Sequence, residues 1–362
     1  MNSAARALRA QLDGVLLDRT SEGYDSARRV FNGLFDRRPA LIARCHTTAD
    51  VSRSVRFARE HDLLLSVRGG GHSIAGYSVV DDGLVIDIAA MRAVNVDAAN
   101  RRAQVGGGAL WADVDSETQR FGLATPGGVV SHTCVAGLTL SGGIGWLRNA
   151  YGLSCDNLRS VDLVTADGEV VAASAARNSD LFWAVRGGGG NFGVVTSFEF
   201  TLHCVGPEVA ALFPVYAMEH GYAVLRQWRD WVLGTPREIS SEVVLWTAPE
   251  SAAFPGAAHN RSVAIPGAVY AGNAVRGLAL LDPLRNFGEP IGVIGGALPY
   301  CGVQAAFDAS FPNTGELCSY WKSSYLHELT DGALDVLVRA TQQRTSPATM
   351  IVVQHIGGAV HD

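Results

Sequence analysis

The sequence predicts an α+β chain in two parts, and three observations carry that reading. Along the first part the segments run helix, strand, glycine loop, several strands, helix. Glycine, 41 residues in all, is clustered in that part rather than spread evenly. After about residue 205 the clusters stop, and helical runs such as 218–234 alternate with strands such as 240–246. The boundary falls near Gly206-Pro207. The 362 residues, 48% hydrophobic and 18% charged, suffice for two sizeable cores.

Each element has its own signal. "HTTADVSRSVRFAREHD" (46–62) reads as a helix with Thr48 as N-cap and Val51, Val55 and Ala58 on one face. "LLLSV" (63–67) reads as a short, wholly apolar strand leading into three glycines. "LVIDI" (84–88), "RAVNVD" (92–97) and "RRAQVGGG" (101–108) alternate or carry β-branched residues, and read as strands. "ALWADVDSETQRFG" (109–122) is a second helix, closed by Gly122 at C′. Residues 125–146 are glycine-punctuated and nearly uncharged. Residues 161–174 form a hairpin turning at Asp167-Gly168, and 178–187 a short helix. A glycine loop from 187 then runs into "VVTSFEFTL". Near the end "TMIVVQHI" reads as a strand. Such a strand ordinarily has more chain after it, so the sequence reads as shortened at its C-terminus.

Charge and composition exclude several classes. A net charge of −6 argues against nucleic acid as a partner. No apolar run reaches membrane-spanning length, and the N-terminal residues lack a secretory core. Cys45, Cys134, Cys155, Cys204, Cys301 and Cys318 form no CxxC pair and no metal-ligand spacing. They read as buried small apolar residues in a reducing, cytoplasmic protein.

The glycine clusters at 69–71, 142–145 and 187–190 carry the functional reading. Glycine admits positive φ and close approach, and consecutive amides in such a loop make a concave anion site. Three clusters in one domain point to a large phosphate-bearing ligand. Gly188, Gly190 and Gly193 match a dinucleotide fingerprint literally, but strand rather than helix follows, so that route to nicotinamide fails. No Gly-Lys-Ser/Thr follows any cluster, so a Walker loop fails too. His72, at the tip of the first loop, could serve as a base, a hydrogen-bond donor or a covalent attachment point.

"RGGGHS" after an apolar strand, then "ATPGGVVSHTCVAGLTLSGGIGWLRNAYGLSCDNL" and "DLFWAVRGGGGNFGVVTSFEF", closely resembles the FAD-linked oxidases with a vanillyl-alcohol-oxidase-type flavin domain, in their berberine-bridge-enzyme-like branch. The resemblance implies a two-subdomain PCMH-type FAD-binding domain at 36–205 after an N-terminal extension at 1–35. It implies an α+β substrate-binding domain with an antiparallel sheet at 206–362, lacking its last return to the flavin domain. It also implies that Arg68, Gly69, Gly70, Gly71, His72 and Ser73 wrap the FAD pyrophosphate. His72 would bond through a ring nitrogen to the flavin 8α carbon. Pro126, Gly127, Gly128, Val130, Ser131, Gly137, Gly142, Gly143, Gly145 and Val194 would line the rest.

Three departures follow. Many relatives carry a second, cysteinyl link to flavin, but that position here is Val130. Cys134 stands four residues later, where relatives usually have glycine, so a single histidyl link is expected. The tyrosine-bearing strand of relatives has no counterpart, so no catalytic base is assigned. Residues 318–338 resemble a substrate-domain strand and helix, and 350–358 a sheet strand; there Gln354 shares a face with Val352 and Ile356 and is the one substrate-face candidate. The expected chemistry is hydride transfer from an alcohol or amine carbon of a small sugar or secondary metabolite to FAD, with O₂ accepting the electrons and leaving as H₂O₂. A same-fold dehydrogenase with another acceptor, and a non-catalytic flavin-binding chain, are the alternatives. "VVSHT" lacks the elbow of a serine hydrolase.

Overall fold

The computed structural model describes residues 3–362. It divides into two compact units. The first takes the chain up to Gly145, then Leu153–His203 and Gln304–Lys322; the second takes Trp146–Gly152, Cys204–Val303 and Ser323–Asp362. Residues 304–322 thus pack with the first unit.

The first unit holds two large sheets. One is four-stranded, in the order β1 (Val15–Asp18), β2 (Leu41–Arg44), β4 (Leu84–Asp87), β3 (Leu65–Arg68). β1 pairs antiparallel with β2, while β2, β4 and β3 run parallel. The residues before 36 therefore supply an edge strand as well as the helix Ser3–Gln11. The helix Thr48–Glu60 lays Val51, Val55, Phe57 and Ala58 on this sheet, against Leu41, Ala43, Leu84 and Ile86. Its N-cap is Thr47 rather than Thr48. Thr47 and Asp50 form a reciprocal capping box, worth about 1 kcal/mol. The strand predicted at 63–67 sits at 65–68, so it includes Ser66 and Arg68 and is not wholly apolar, and Leu65 at its start is exposed.

The second sheet of this unit is antiparallel throughout. Its order is β5 (Val94–Asp97), β6 (Arg102–Gly106), β10 (Val194–Thr201), β8 (Leu158–Val164), β9 (Val170–Ser174). Its inner face carries Ala103, Val105, Val161, Leu163, Phe198 and Phe200 onto the helix Trp111–Gln119. That helix ends before Gly122, whose φ of +64° closes the turn two residues past the Arg120 cap. The β8–β9 hairpin turns through Gly168 as expected, with Gly168 N–H donating to Thr165 O at 2.9 Å. The two-residue β7 (Leu123–Ala124) and β11 (His203–Cys204) pair as a small two-stranded sheet and complete the strands before the second unit. A short helix, Val135–Leu140, lies inside the glycine-punctuated segment where no element was expected.

The second unit is one five-stranded antiparallel sheet. Its order is β15 (Gly292–Pro299), β12 (Glu208–Ala217), β14 (Ser262–Tyr270), β13 (Ile239–Thr247), β16 (Ile351–Gln354). Period-two alternation splits its side chains between two faces. Ile239, Val243 and Leu245 turn to the helices Gly221–Val232 and Asp331–Gln342, with Trp228 and Leu334 at the centre. Val244 and Trp246 turn the other way, with Val215, Val263, Ile265 and Phe213. The strand expected over "TMIVVQHI" covers only four residues at the sheet edge. No strand forms over 318–329, contrary to expectation, while the helix expected after it is present. Nor are all the thiols buried: Cys45, Cys134 and Cys155 are, but Cys204 and Cys318 are exposed. Among the described residues no helix is long and apolar enough to cross a membrane.

Candidate functional site

In the first unit, β2, β4 and β3 end side by side, and the loop "RGGGHS" leaves the end of β3. The carboxyl ends of parallel strands are where open α/β sheets bind ligands. Arg68 stands opposite Asp87 in the β3–β4 ladder. It donates to the Ala27 carbonyl, and its Nε is buried without a partner. Burial lowers its pKa below the ordinary arginine value, and Asp87 opposes that shift.

Beyond Arg68 the loop is shaped by close packing. Gly69 and Gly70 lie against Cys134: a side chain on Gly69 would collide with the thiol, which itself donates to Gly107 O at 3.3 Å, and one on Gly70 would crowd the Cys134 Cβ and backbone. Gly71 has φ of +74° and its carbonyl accepts from Phe31 N–H at 3.0 Å. The amides of Gly71, His72, Ser73 and Ile74 donate to no group among the described residues. Four successive free amides in a turn with one left-handed residue make a concave donor surface.

His72 sits on this surface. Phe31 stacks on its ring, with centroids 4.5 Å apart and planes 16° from parallel. Its Nε2 lies 2.9 Å from Nδ1 of His132. Its Nδ1 makes no hydrogen bond, and it is not among the sealed, unpartnered atoms. Desolvation, and then the neighbouring His132, lower the His72 pKa to about 4, so the ring is neutral at ordinary pH.

The remaining residues singled out from the sequence fall into two groups. Gly127 and Gly145 pack back to back, and Gly143 packs on Ser154, so these are places of close chain approach. Gly142 and Gly143 have φ of +104° and +92°, and Gly137 is exposed with open space beside it. Pro126 and Gly128 are buried, Val130 is half-buried, and Val194 lies in the core at the start of β10, where only its backbone could meet a ligand. Ser131 has both donors taken by Asp308, through N–H at 2.8 Å and Oγ at 2.5 Å. Asn313 bonds Gly70 O at 3.3 Å, so residues from 308 onward lie along the same loops. No local pattern announces this strap, which reaches 177 residues back to Ser131.

The donor set suits a large anionic cofactor. Besides the four amides, Ser66 Oγ, Thr125 Oγ1, His132 Nε2 and Thr139 Oγ1 are buried without partners. Buried polar atoms are ordinarily satisfied, so such a group of orphans in the same unit as the loops fits a missing ligand.

In the second unit Gln354, singled out from the sequence, lies in a cluster whose other members, Arg148 and Glu242, sequence reasoning missed. Arg148, fully buried, donates to Ser241 O at 2.6 Å and His355 O at 3.0 Å. Glu242, on the Val244–Trp246 face of β13, accepts from Gln354 Nε2 at 2.9 Å. Burial raises the Glu242 pKa, and the Arg148 charge pulls it back. Gln354 thus lies opposite Glu242 in the ladder and shares a face with Val352. The one signal for Glu242 was a single carboxylate inside an apolar strand.

Residues 39–174 match a family model described as an FAD binding domain. The (R)-6-hydroxynicotine oxidase of Paenarthrobacter nicotinovorans is 40% identical over 215 residues, which is 59% of this chain and 47% of that protein. An FAD-linked oxidoreductase of Dictyostelium discoideum is 30% identical over 355 residues, 97% of this chain and 74% of that one. The chain therefore spans about half the length of the first relative and about three quarters of the second. Among solved structures, 6-hydroxy-D-nicotine oxidase from Arthrobacter nicotinovorans superposes with a TM-score of 0.75 at 32% identity, covering 84% of this chain and 65% of that one. The BBE-like 1 protein of Physcomitrella patens superposes at 0.83 over 98% of this chain and 78% of that one; at 22% identity the likeness is one of fold alone.

Proposed function

The chain belongs to the FAD-linked oxidoreductases, and from that premise we propose that it holds FAD on the glycine loops of its first unit, covalently at His72, and oxidises an alcohol or amine carbon. The observation that carries this is the open Nδ1 of a neutral His72 beside the free amides of 71–74. The nicotine oxidase relative favours an amine carbon as the first substrate to try. FAD, when bound, would accept hydride and pass the electrons to dioxygen.

The chain's own residues do the rest. The amides of Gly71 to Ile74 would hold the pyrophosphate, as fixed donors that need no reorganisation. Ser66 and Thr125 would supply further donors. Phe31 holds the His72 ring in one plane. Burial keeps that ring uncharged, which a nucleophile requires. Gln354 and Glu242 form the polar pair of the second unit's sheet and are the candidates for holding a substrate's polar group there.

Purified protein, precipitated with acid and digested, should carry flavin on the peptide containing His72. His72→Ala should release all flavin on precipitation. Flavin that stays fixed to the denatured variant would overturn the assignment. Peroxide formed on substrate oxidation supports the oxidase; flavin reduced by substrate but not reoxidised by oxygen points to a dehydrogenase.

A further inference from the structure

We propose that His132 is the positioning residue for covalent attachment: it holds the proton of His72 on Nε2, so that the bond to flavin forms at Nδ1. This rests on the reading of His72 as the attachment point. The two rings meet Nε2 to Nδ1 at 2.9 Å, a distance that requires one proton between two nitrogens. The Phe31 stack holds the plane of the His72 ring beside His132, and the hydrogen bond to His132 selects which ring edge faces it. Nδ1 is the ring atom left open. Asp308 reaches the same loop through Ser131, next in sequence to His132, so the His132 backbone is tethered beside the pair.

Two arrangements of the shared proton exist. With the proton on His132 Nδ1, neither nitrogen of His72 can attack: Nε2 is accepting, and the neutral ring carries its own hydrogen on Nδ1. With the proton on His72 Nε2, the Nδ1 lone pair is free. The second arrangement leaves a hydrogen on His132 Nε2, which is buried without a partner. That donor is unfavourable in the free chain and becomes favourable once the bound cofactor offers it an acceptor. His132 thus couples cofactor binding to the ring state that reacts.

The step balances. A bond forms between Nδ1 of His72 and the 8α carbon, and one C–H bond of that methyl group breaks. Its proton leaves to water and its electron pair reduces the flavin. The alkylated ring sheds its Nε2 proton to Nδ1 of His132. Dioxygen reoxidises the flavin and leaves as hydrogen peroxide.

The test uses the full chain produced without flavin and then given FAD. The rate of attachment is followed by acid-stable flavin, the linkage atom by carbon–proton correlation of the isolated flavin peptide, and non-covalent binding by flavin fluorescence. Wild type should give 8α protons correlated to Cγ and Cε1 of His72, the mark of Nδ1. His132→Ala should still bind FAD but attach it ~100-fold more slowly, with recovery on adding imidazole. His132→Asn keeps an acceptor for the Nε2 hydrogen without taking its proton; it should restore Nδ1 linkage at part of the rate, and it decides the matter if the alanine variant fails to fold.

Linkage through Nε2, an alanine variant as fast as wild type, or an asparagine variant no better than alanine would each overturn the role of His132 and leave His72 standing. Wild-type protein that releases all its flavin in acid overturns the histidyl reading itself, and this proposal with it.

Discussion

The glycine-loop site of the first unit and the buried cluster of the second are made of different materials. The first is built from backbone: free amides of 71–74, left-handed glycines, and chains packed too closely for side chains. The second is built from side chains: Glu242 and Gln354 on paired antiparallel strands, and Arg148 on the short helix Arg148–Tyr151. A backbone site leaves a mark in sequence, because only glycine fits it. A side-chain site on a strand leaves one polar letter in an apolar word, which many unremarkable strands also carry.

The contrast predicts that the two sites fail differently. The largest effect is expected at Arg148. Arg148→Met removes the donor to His355 O, leaves Ser241 O with only the His355 N–H, and leaves Glu242 buried without its nearby positive charge. Removing one partner of a buried charged set costs about 3–5 kcal/mol. Urea unfolding should show the midpoint of the variant far below wild type, and adding Glu242→Gln should recover part of the loss. No recovery would mean that Arg148 serves only the carbonyls.

A pH-dependent effect of intermediate size is expected at Asp115. It is fully buried, accepts from Gln304 Nε2 at 3.1 Å, and burial raises its pKa to about 7. The unfolded chain ionises this group near pH 4, whereas the folded chain keeps its proton up to about pH 7. Between those values the unfolded state binds fewer protons, so this group's contribution to stability falls as pH rises and levels off above about 7. Asp115→Asn should remove that slope. Thermal midpoints of variant and wild type should converge near pH 4 and separate toward pH 8, the variant being the more stable. A constant gap would show that Asp115 is ionised in the folded protein.

How much was legible follows from the same contrast. The loop at 69–72 and the hairpin at Gly168 were readable because turn residues are local signals, whereas the antiparallel second sheet was implied only by the family resemblance. Thr47 caps where the sequence points to Thr48, because both residues can cap and only the Asp50 partner decides. The helix Val135–Leu140 was hidden by glycines that ordinarily break helices. The edge strand β1 and the strap at 304–322 were unreadable for another reason. Their partners are distant in sequence, as Asp308 is from Ser131 and Ser319 from Asn32. No local pattern encodes a contact of that kind. His132 was visible as a letter, but its 2.9 Å contact to His72 joins loops 60 residues apart.

The smallest effects should sharpen the claim that the first site is backbone. Gly71 sits at φ of +74°, where an L-residue pays ~1–2 kcal/mol, and its Cβ would come 3.4 Å from Arg68 Nε. Gly71→Ala should therefore turn the amides of 71–74 slightly and slow acid-stable flavin attachment, with little change in secondary structure. Ser73→Ala removes a neighbouring side chain whose Oγ accepts only from Tyr77 N–H, at 3.1 Å on the surface. It should cost less than about 1 kcal/mol and leave attachment unchanged. Adding one methyl group to the loop would then matter more than deleting a hydroxyl two residues away. The reverse ranking, with Ser73→Ala the more damaging to attachment, would mean that side chains bind the ligand there and that the free amides do not.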